Sequence, residues 1–177
     1  MKCDFKILAV GILIAMSLMN VKAFADTKLD DATIFAIFDQ ANMADIWTGR
    51  IGVKKGHSEE VRALATMVAT DHEAVQQMGR DLAKQLGIIP TPPENDTSLE
   101  SQAKAVAMLQ SKSGAAFDKA YLKHEIAFHQ SVISAIKGTL LPAIKNEQFK
   151  ALVTKVLPGF EHHLAATKAA ARKLGIE

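Results

Sequence analysis

The sequence contains almost no cysteine. Among its 177 residues there is one, Cys3, which lies before an apolar run from Ile7 to Met19. A chain that loses Cys3 on processing has no thiol left, and this excludes disulfide bridges, thiolate nucleophiles and iron–sulfur ligation. The stability of such a protein must come from its packed core, which one domain of about 150 residues is large enough to provide.

Long apolar runs are also missing, apart from the one near the start. Lys2 and Lys6 make that start positive, and Ala23-Phe24-Ala25 supplies the small-x-small pattern that precedes signal cleavage. The run is too short to span a bilayer comfortably. We therefore expect residues 1–25 to be a cleaved signal peptide. Residues 26–177 would then form one domain in the periplasm or cell envelope, with no membrane span after cleavage.

An excess of charge of one sign is absent as well. The full chain has 21 basic and 19 acidic residues; without Lys2, Lys6, Lys22 and Asp4, 18 of each remain. Proteins that bind nucleic acid or an anionic membrane surface through charge usually carry a basic patch or a basic excess. We therefore expect no nucleic-acid partner.

The sequence has no signature of a common enzyme. It contains no glycine-rich phosphate loop, no nucleophile elbow and no zinc-protease helix motif. The pair Glu-x-x-His, which ferritin-like di-iron proteins use, does not occur either. The sequence therefore argues against an enzyme, and a carboxylate-bridged di-iron centre is the less favoured kind of metal site.

What is present is helical periodicity, with apolar residues three or four positions apart. Four long helices are predicted, from Asp30 or Asp31 to about Lys55, from Ser58 to Gly87, from about Ala115 to Ile136, and from near Asn146 into the Ala- and Lys-rich tail. A capping box, Thr97 to Glu100, predicts a shorter helix to about Lys112. The economical fold is all-α, an up-and-down bundle of four long helices with one short extra helix.

Prolines and glycines predict where these helices are interrupted. The stretch from Ile88 to Asp96 contains three prolines and predicts the long connection. Gly138 to Pro142 is expected to end the helix before it. Pro158 lies inside the last helix, where a missing N–H is expected to kink it.

Three of the predicted helices carry a histidine where the pattern calls for an apolar residue. A polar side chain that faces a bundle core needs a partner, which is either a hydrogen-bond network or a metal ion. Glu125 and His129 are four residues apart, so they share a helix face and both can reach one ion. The candidate ligands of a metal are Asp45, Asp71, His72, Glu125, His129 and His163.

Two interpretations of these residues stay open, with proton sensing by the same patch as a third. Imidazoles with carboxylates suit zinc, iron, copper or nickel better than calcium or magnesium. Alternatively, Asp71 holds His72, Glu125 pairs with His129, and His163 donates to a carbonyl freed by the nearby proline. Metal binding is the more specific hypothesis. Its alternative is a structural or interaction module of the envelope that binds no metal.

Short motifs along the chain resemble those of a bacterial family. They are Asn42-Met43-Ala44-Asp45, Met67-Val68 followed by Asp71-His72, Phe117 to Tyr121 with His129, and Leu157-Pro158 followed by His163-Leu164. In this order they resemble the exported bacterial proteins grouped as domain of unknown function 4142. The resemblance covers the mature chain. It implies a ferritin-like helical bundle in the periplasm or cell envelope, often labelled an outer-membrane protein, without an established reaction.

The mature protein is expected to begin at Asp26, because Ala23-Phe24-Ala25 fits the cleavage pattern after a short apolar run. The intact mass of the exported protein measures this directly. A species in the envelope fraction that still contains Cys3 would show that the segment is retained.

Overall fold

The computed structural model describes residues 29–176, and this part of the chain is helical without strands. Its helices are α1 Asp31–Lys55, α2 Glu59–Leu86, α3 Ser98–Gln110, α4 Gly114–Ala135 and α5 Glu147–Lys173. The predicted signal peptide lies outside the described residues. None of the helices in residues 29–176 combines the length and apolar character that crossing a membrane requires.

The predicted starts of three helices are confirmed by their caps. Asp30, Ser58 and Asn146 each accept a hydrogen bond from the backbone N–H three residues further on, at 3.0, 3.2 and 3.0 Å. Such caps satisfy N–H groups that have no partner inside the helix. Local sequence chemistry therefore determines where α1, α2 and α5 begin.

The start of α3 differs from the predicted capping box. The side chain of Thr97 makes no cap hydrogen bond, because its backbone, at φ −112° and ψ 13°, is not in the extended conformation that a cap requires. Asp96 takes its place and accepts from both the N–H and the hydroxyl of Ser98, at 2.9 and 3.0 Å. The helix forms where expected, with a different residue at its cap.

The prediction that Gly138 to Pro142 ends the helix is wrong. The chain stays helical from α4 through a π-helical turn, Ile136–Leu140, and a further turn, Leu141–Ala143. The wider turn is closed by the N–H of Leu141, which donates to the carbonyl of Ile136. It places Pro142 in the first turn of the next segment, where a missing N–H costs no helical hydrogen bond.

Two buried apolar clusters form the core, and each long helix contributes to both. The first contains Phe35, Phe38, Val132, Ile136, Phe149 and Phe160 with their neighbours. The second contains Val61, Leu64, Val68, Phe117, Tyr121 and Leu122, with Ile51 and Ala166 against it. Helices α1 and α5 run from the first cluster to the second, whereas α2 and α4 run from the second to the first.

The directions of the long helices therefore do not alternate along the sequence. In this they differ from the predicted up-and-down bundle. Their directions are up, down, down and up, because residues 87–113 carry the chain back along the bundle between α2 and α4. This crossover starts at the first cluster, where Ile88 packs, and ends at the second, where Leu109 is buried. Around the ring, α1 packs on α2, α2 on α5, α5 on α4 and α4 on α1. Neighbours in that ring run in opposite directions.

Two carboxylates connect one helix to the start of another. Asp118 of α4 accepts from the backbone N–H groups of His57 and Ser58, both at 2.8 Å, just before α2. Asp31 of α1 accepts from the N–H groups of Lys145 and Asn146 before α5, at 2.8 and 2.9 Å. Charged acceptors at helix N-termini are favourable because those N–H groups lack helical partners. These contacts help to fix the axial positions of the helices.

Candidate metal centre

A layer of polar side chains separates the two apolar clusters. It contains Asn42, Asp45 and Thr48 from α1, His72 from α2, Glu125 and His129 from α4, and His163 and Thr167 from α5, all buried. On each long helix these residues lie where the stretch that belongs to the first cluster meets the stretch that belongs to the second. We call this group the polar layer. The four long helices thus place their polar side chains at one level of the bundle.

Three histidines and a carboxylate meet in the middle of the layer. His72 Nε2 lies 2.9 Å from Asp45 Oδ2, and His129 Nε2 lies 3.3 Å from the same oxygen. His163 Nδ1 lies 3.2 Å from His72 Nε2. The ligand atoms of the three histidines all fall within 4.8 Å of one another, as do those of Asp45, Glu125 and His129. His129 belongs to both groups and therefore joins them into one centre.

The outer nitrogen of His72 is held by an amide. Nδ1 lies 2.8 Å from Asn42 Oδ1, while Asn42 Nδ2 donates to the carbonyl of Phe38 at 2.7 Å. Because the amide nitrogen is used by that carbonyl, the amide oxygen must accept, and we assign the proton of His72 to Nδ1. A neutral His72 then presents the lone pair of Nε2 to the centre.

The other two histidines are oriented by the same kind of contact. His129 Nδ1 lies 3.0 Å from the backbone carbonyl of Glu125, which can only accept. His163 Nε2 lies 2.9 Å from Asp71 Oδ2. We therefore assign the protons to these outer nitrogens, so that His129 Nε2 and His163 Nδ1 also direct lone pairs inward. Three nitrogen lone pairs and the Asp45 carboxylate consequently face one small volume.

Burial keeps these imidazoles neutral. It lowers the pKa of His72 to about 4 and that of His129 to about 3, and it also lowers the pKa of His163, where Asp71 opposes the shift. Desolvation penalises the imidazolium because water no longer surrounds the charge. Near neutral pH the histidines are therefore free bases, the form in which imidazole binds a metal.

The two carboxyl groups of the centre show the opposite shift. Burial raises the pKa of Asp45 to about 7, partly offset by the neighbouring Glu125 carboxyl. Burial and the neighbouring Asp45 charge raise the pKa of Glu125 well above its ordinary value, while Thr48 donates to Glu125 Oε1 at 3.1 Å. Two buried carboxylates close together repel each other, so ionising both is more costly than ionising either one alone. The pair therefore retains at least one proton near neutral pH.

Several polar atoms of the centre remain unpaired. Within residues 29–176, both oxygens of Asp45, Glu125 Oε2 and His129 Nε2 have no hydrogen bond of acceptable geometry, although some lie close to one another. Buried polar groups in proteins are nearly always paired, so each exception requires an explanation. These atoms are acceptors that point at one another, and a cation between them would satisfy all of them.

The structure places five of the six predicted ligands in the centre. Asp71 is the sixth. It was expected to hold its neighbour His72, but adjacent residues point about 100° apart on a helix, and Asp71 instead reaches His163 on α5. The proposed bond from His163 to a carbonyl freed by Pro158 does not form, because His163 Nε2 is used by Asp71. Asp71 thus orients a histidine and lies outside the converging atoms.

Sequence reasoning assigned no role in the site to three residues of the polar layer, Asn42, Thr48 and Thr167, and it missed the polar part of Tyr121. Asn42 and Thr48 flank Asp45 on one face of α1, and this three-residue spacing was the available signal. Tyr121 was interpreted as a packing residue, and its ring does stack on Phe117. Its hydroxyl, however, is buried one turn from Glu125 and has no hydrogen-bond partner in the described part of the chain.

Asp45→Asn is expected to stabilise the metal-free protein while removing a ligand. At pH 8 the asparagine removes a buried carboxylate, so the free energy of unfolding should rise by about 1–4 kcal/mol. The folded pKa of Asp45 is raised to about 7, so its ionisation costs stability above about pH 4. The gain should therefore shrink as the pH falls from 7 towards 4. Urea unfolding at several pH values measures it.

The matched control is Asp39→Asn, which removes a carboxylate of α1 that pairs with Arg80 near the surface, at 2.6 Å. A partly exposed pair contributes little, so this change should lower the free energy of unfolding by less than about 1 kcal/mol. If Asp45→Asn destabilises the protein more than Asp39→Asn at pH 8, the buried carboxylate is better satisfied than its contacts indicate.

The comparisons with known proteins give a family and no function. Residues 18–170 match the family described as "Domain of unknown function (DUF4142)". No curated protein and no solved structure matches the chain. The family match covers most of the chain, including every residue of the polar layer. The protein therefore belongs to the DUF4142 family.

Proposed function

We propose that the protein binds a transition-metal ion in the polar layer. The ligands are His72 Nε2, His129 Nε2, His163 Nδ1 and Asp45, with Glu125 beside them to complete the coordination. The observation that carries the proposal is the convergence of three nitrogen lone pairs and a carboxylate in a buried volume. Such an arrangement is electrostatically unfavourable without a positive charge, and a bound cation supplies one.

The spacing of the ligand atoms supports this. Nitrogen and oxygen ligands lie about 2.0–2.2 Å from an ion such as zinc, so neighbouring ligands at 90–109° are about 2.8–3.5 Å apart. The distances between His72 and Asp45, between His129 and Asp45, and between His163 and His72 are 2.9, 3.3 and 3.2 Å. They agree with three edges of a tetrahedral or octahedral coordination shell.

The contacts outside the ligands support it as well. Histidines that bind metals usually donate their second nitrogen to a carbonyl, a carboxylate or a similar acceptor, which fixes the ring and the tautomer. Here the acceptors are Asn42, the carbonyl of Glu125 and Asp71. A layer that mixes imidazole and carboxylate favours zinc, iron, copper or nickel over calcium or magnesium.

An ion-free network explains the geometry less well. A proton on Asp45 would let its hydroxyl donate to His72 Nε2 at 2.9 Å, which satisfies one contact. The same proton cannot also bridge His72 to His163 or pair with His129 Nε2. Two of the three inward lone pairs would then stay unpaired in the core, at a cost of about 1–3 kcal/mol each.

The fold and the compartment belong to the same proposal. Ferritin-like bundles have one long crossover between their helix pairs and build metal sites from side chains on facing helices. The crossover at residues 87–113 and the position of the polar layer support a ferritin-like assignment. The predicted signal peptide supports export. The protein would accordingly bind its metal in the periplasm or cell envelope.

The decisive experiment compares two adjacent histidines of α5. His163→Leu removes a buried ligand, whereas His162→Leu changes an exposed neighbour. The wild type should bind one ion per chain and melt at a higher temperature when the metal is present. At a free metal concentration 100 times the dissociation constant, the metal should stabilise the fold by about 2.7 kcal/mol. His163→Leu and His72→Leu should weaken binding by more than about 100-fold. His162→Leu should bind like the wild type.

Metal content of protein isolated from its own cells and thermal melts with zinc, iron, copper or nickel provide the measurement. If the wild type carries none of these metals and none shifts its melting temperature, the polar layer is a structural network and the proposal fails. Equal losses in His162→Leu and His163→Leu would also contradict it, since only one of the two side chains reaches the layer.

The affinity for the metal is expected to rise with pH around neutrality. The carboxyl pair retains at least one proton because the pKa of Asp45 is about 7 and that of Glu125 is raised well above its ordinary value. Binding must displace that proton, so the apparent affinity should rise by about tenfold per pH unit below pH 7. The histidines, with pKa values of about 4 and 3 for His72 and His129, do not compete above pH 5.

Calorimetric titration in buffers of different ionisation enthalpy counts the released protons. An affinity that stays constant between pH 6 and 8, with no proton released, would show that Asp45 and Glu125 are already ionised. The carboxyl groups would then not act as a protonated pair in the metal-free protein.

A further inference from the structure

The three histidines differ in how near their supporting contacts lie to solvent. His72 and His129 are held by the buried side chain of Asn42 and by a carbonyl inside α4. His163 is held by Asp71, whose side chain is 53% exposed on the outer face of α2. Of the three, only His163 therefore has its outer nitrogen bonded directly to a group that water reaches.

The helix that carries His163 is also weakened next to it. Pro158 lies inside α5, five residues before His163, and it has no N–H to donate to the carbonyl of Thr154. Gly159 follows at an exposed position, and a Cβ built there would meet nothing within 4 Å, so this side of α5 faces open space. Proline and glycine are common sites of helix bending. A small bend here moves His163 relative to the rest of the layer.

Two clefts on the described surface do not lead to the centre. One, of about 280 Å³, lies between α1, α2 and the proline-containing connection, and the other, of about 410 Å³, lies between α2 and α5 nearer their outer ends. Neither is lined by a ligand residue. The three histidines and Asp45 are at most 3% exposed, so an ion that reaches them must displace a side chain, and His163 is the ligand with the least buried support.

We propose that the metal ion enters and leaves the centre between α2 and α5, where Asp71 captures the hydrated cation and His163 transfers it to the inner ligands. In this sequence a carboxylate oxygen of Asp71 replaces one water of the ion. Nδ1 of His163 then binds the ion, and Asp45 with the other histidines replaces the remaining waters. The proposal rests on the proposed metal binding and adds the route to it.

The chain offers a matched pair of variants to test the route. Asp71→Asn removes the negative charge but retains an oxygen that accepts from His163. Glu73→Gln removes a similarly exposed carboxylate of α2, which pairs with Arg50 at 2.8 Å and contacts no histidine. The probe is Co²⁺ added alone, followed by its visible absorption in a stopped-flow instrument. A parallel equilibrium titration gives the dissociation constant.

Substituting a residue on the route should change the rates of metal association and dissociation together and leave the dissociation constant nearly unchanged. We expect Asp71→Asn to slow association and dissociation by roughly tenfold each, with the dissociation constant within about threefold of the wild type. Glu73→Gln should alter both rates by less than about twofold. Pro158→Ala, which restores the helical hydrogen bond of α5, should slow both rates as well, because His163 then moves less freely.

Three results for the variants of α2 would overturn the route. In the first, Asp71→Asn binds Co²⁺ at the wild-type rate. In the second, Glu73→Gln slows binding as much as Asp71→Asn does. In the third, the dissociation constant of Asp71→Asn changes and the whole change lies in the dissociation rate. Unchanged rates in Pro158→Ala would remove α5 from the route and overturn it too. A wild type that binds no Co²⁺ at equilibrium would instead refute the metal centre itself, and the two failures are therefore distinguishable.

Discussion

The mutual repulsion of acceptors in the middle of the bundle is the constraint on which the rest of this structure depends. His72 Nε2 lies about one hydrogen-bond length from both His163 Nδ1 and the Asp45 carboxylate, and the outer nitrogens of the two histidines already donate their protons to Asn42 and Asp71. A positive charge is the simplest way to satisfy them. The metal proposal follows from this electrostatic requirement, and the family match, which describes no function, adds nothing to it.

The helix arrangement makes the convergence possible. Each long helix is apolar at both ends of its buried stripe and polar in the middle, so the two apolar clusters enclose the polar layer from both sides. Close packing of α1 on α2 contributes: a Cβ at Gly52 would come within 2.7 Å of the Ala65 Cβ and 2.8 Å of the Tyr121 ring. The enclosure excludes water, and this strengthens every electrostatic interaction within the layer.

The layer also shows a conflict between stability and the proposed metal binding. A buried Asp45 with no good donor destabilises the metal-free fold, and Leu or Asn there would be easier to accommodate. Neutral histidines with strongly lowered pKa values and a protonated carboxyl pair are the compromise that the metal-free protein adopts. Sites that retain such unfavourable groups are often functional, and the carboxyl pair would couple metal binding to proton release.

The sequence by itself determined the helices and the identity of the polar residues, because caps, apolar periodicity and a histidine on an apolar stripe are local features. Asp30, Ser58 and Asn146 illustrate this, since their side chains reach only three residues ahead. Tertiary structure decided the rest. Which nitrogen of His72 faces inward depends on Asn42 of another helix, and the partner of Asp71 lies 92 positions away. The reversed direction of α4 and the continuation past Gly138 also depend on packing between helices that are distant in sequence, which no local pattern encodes.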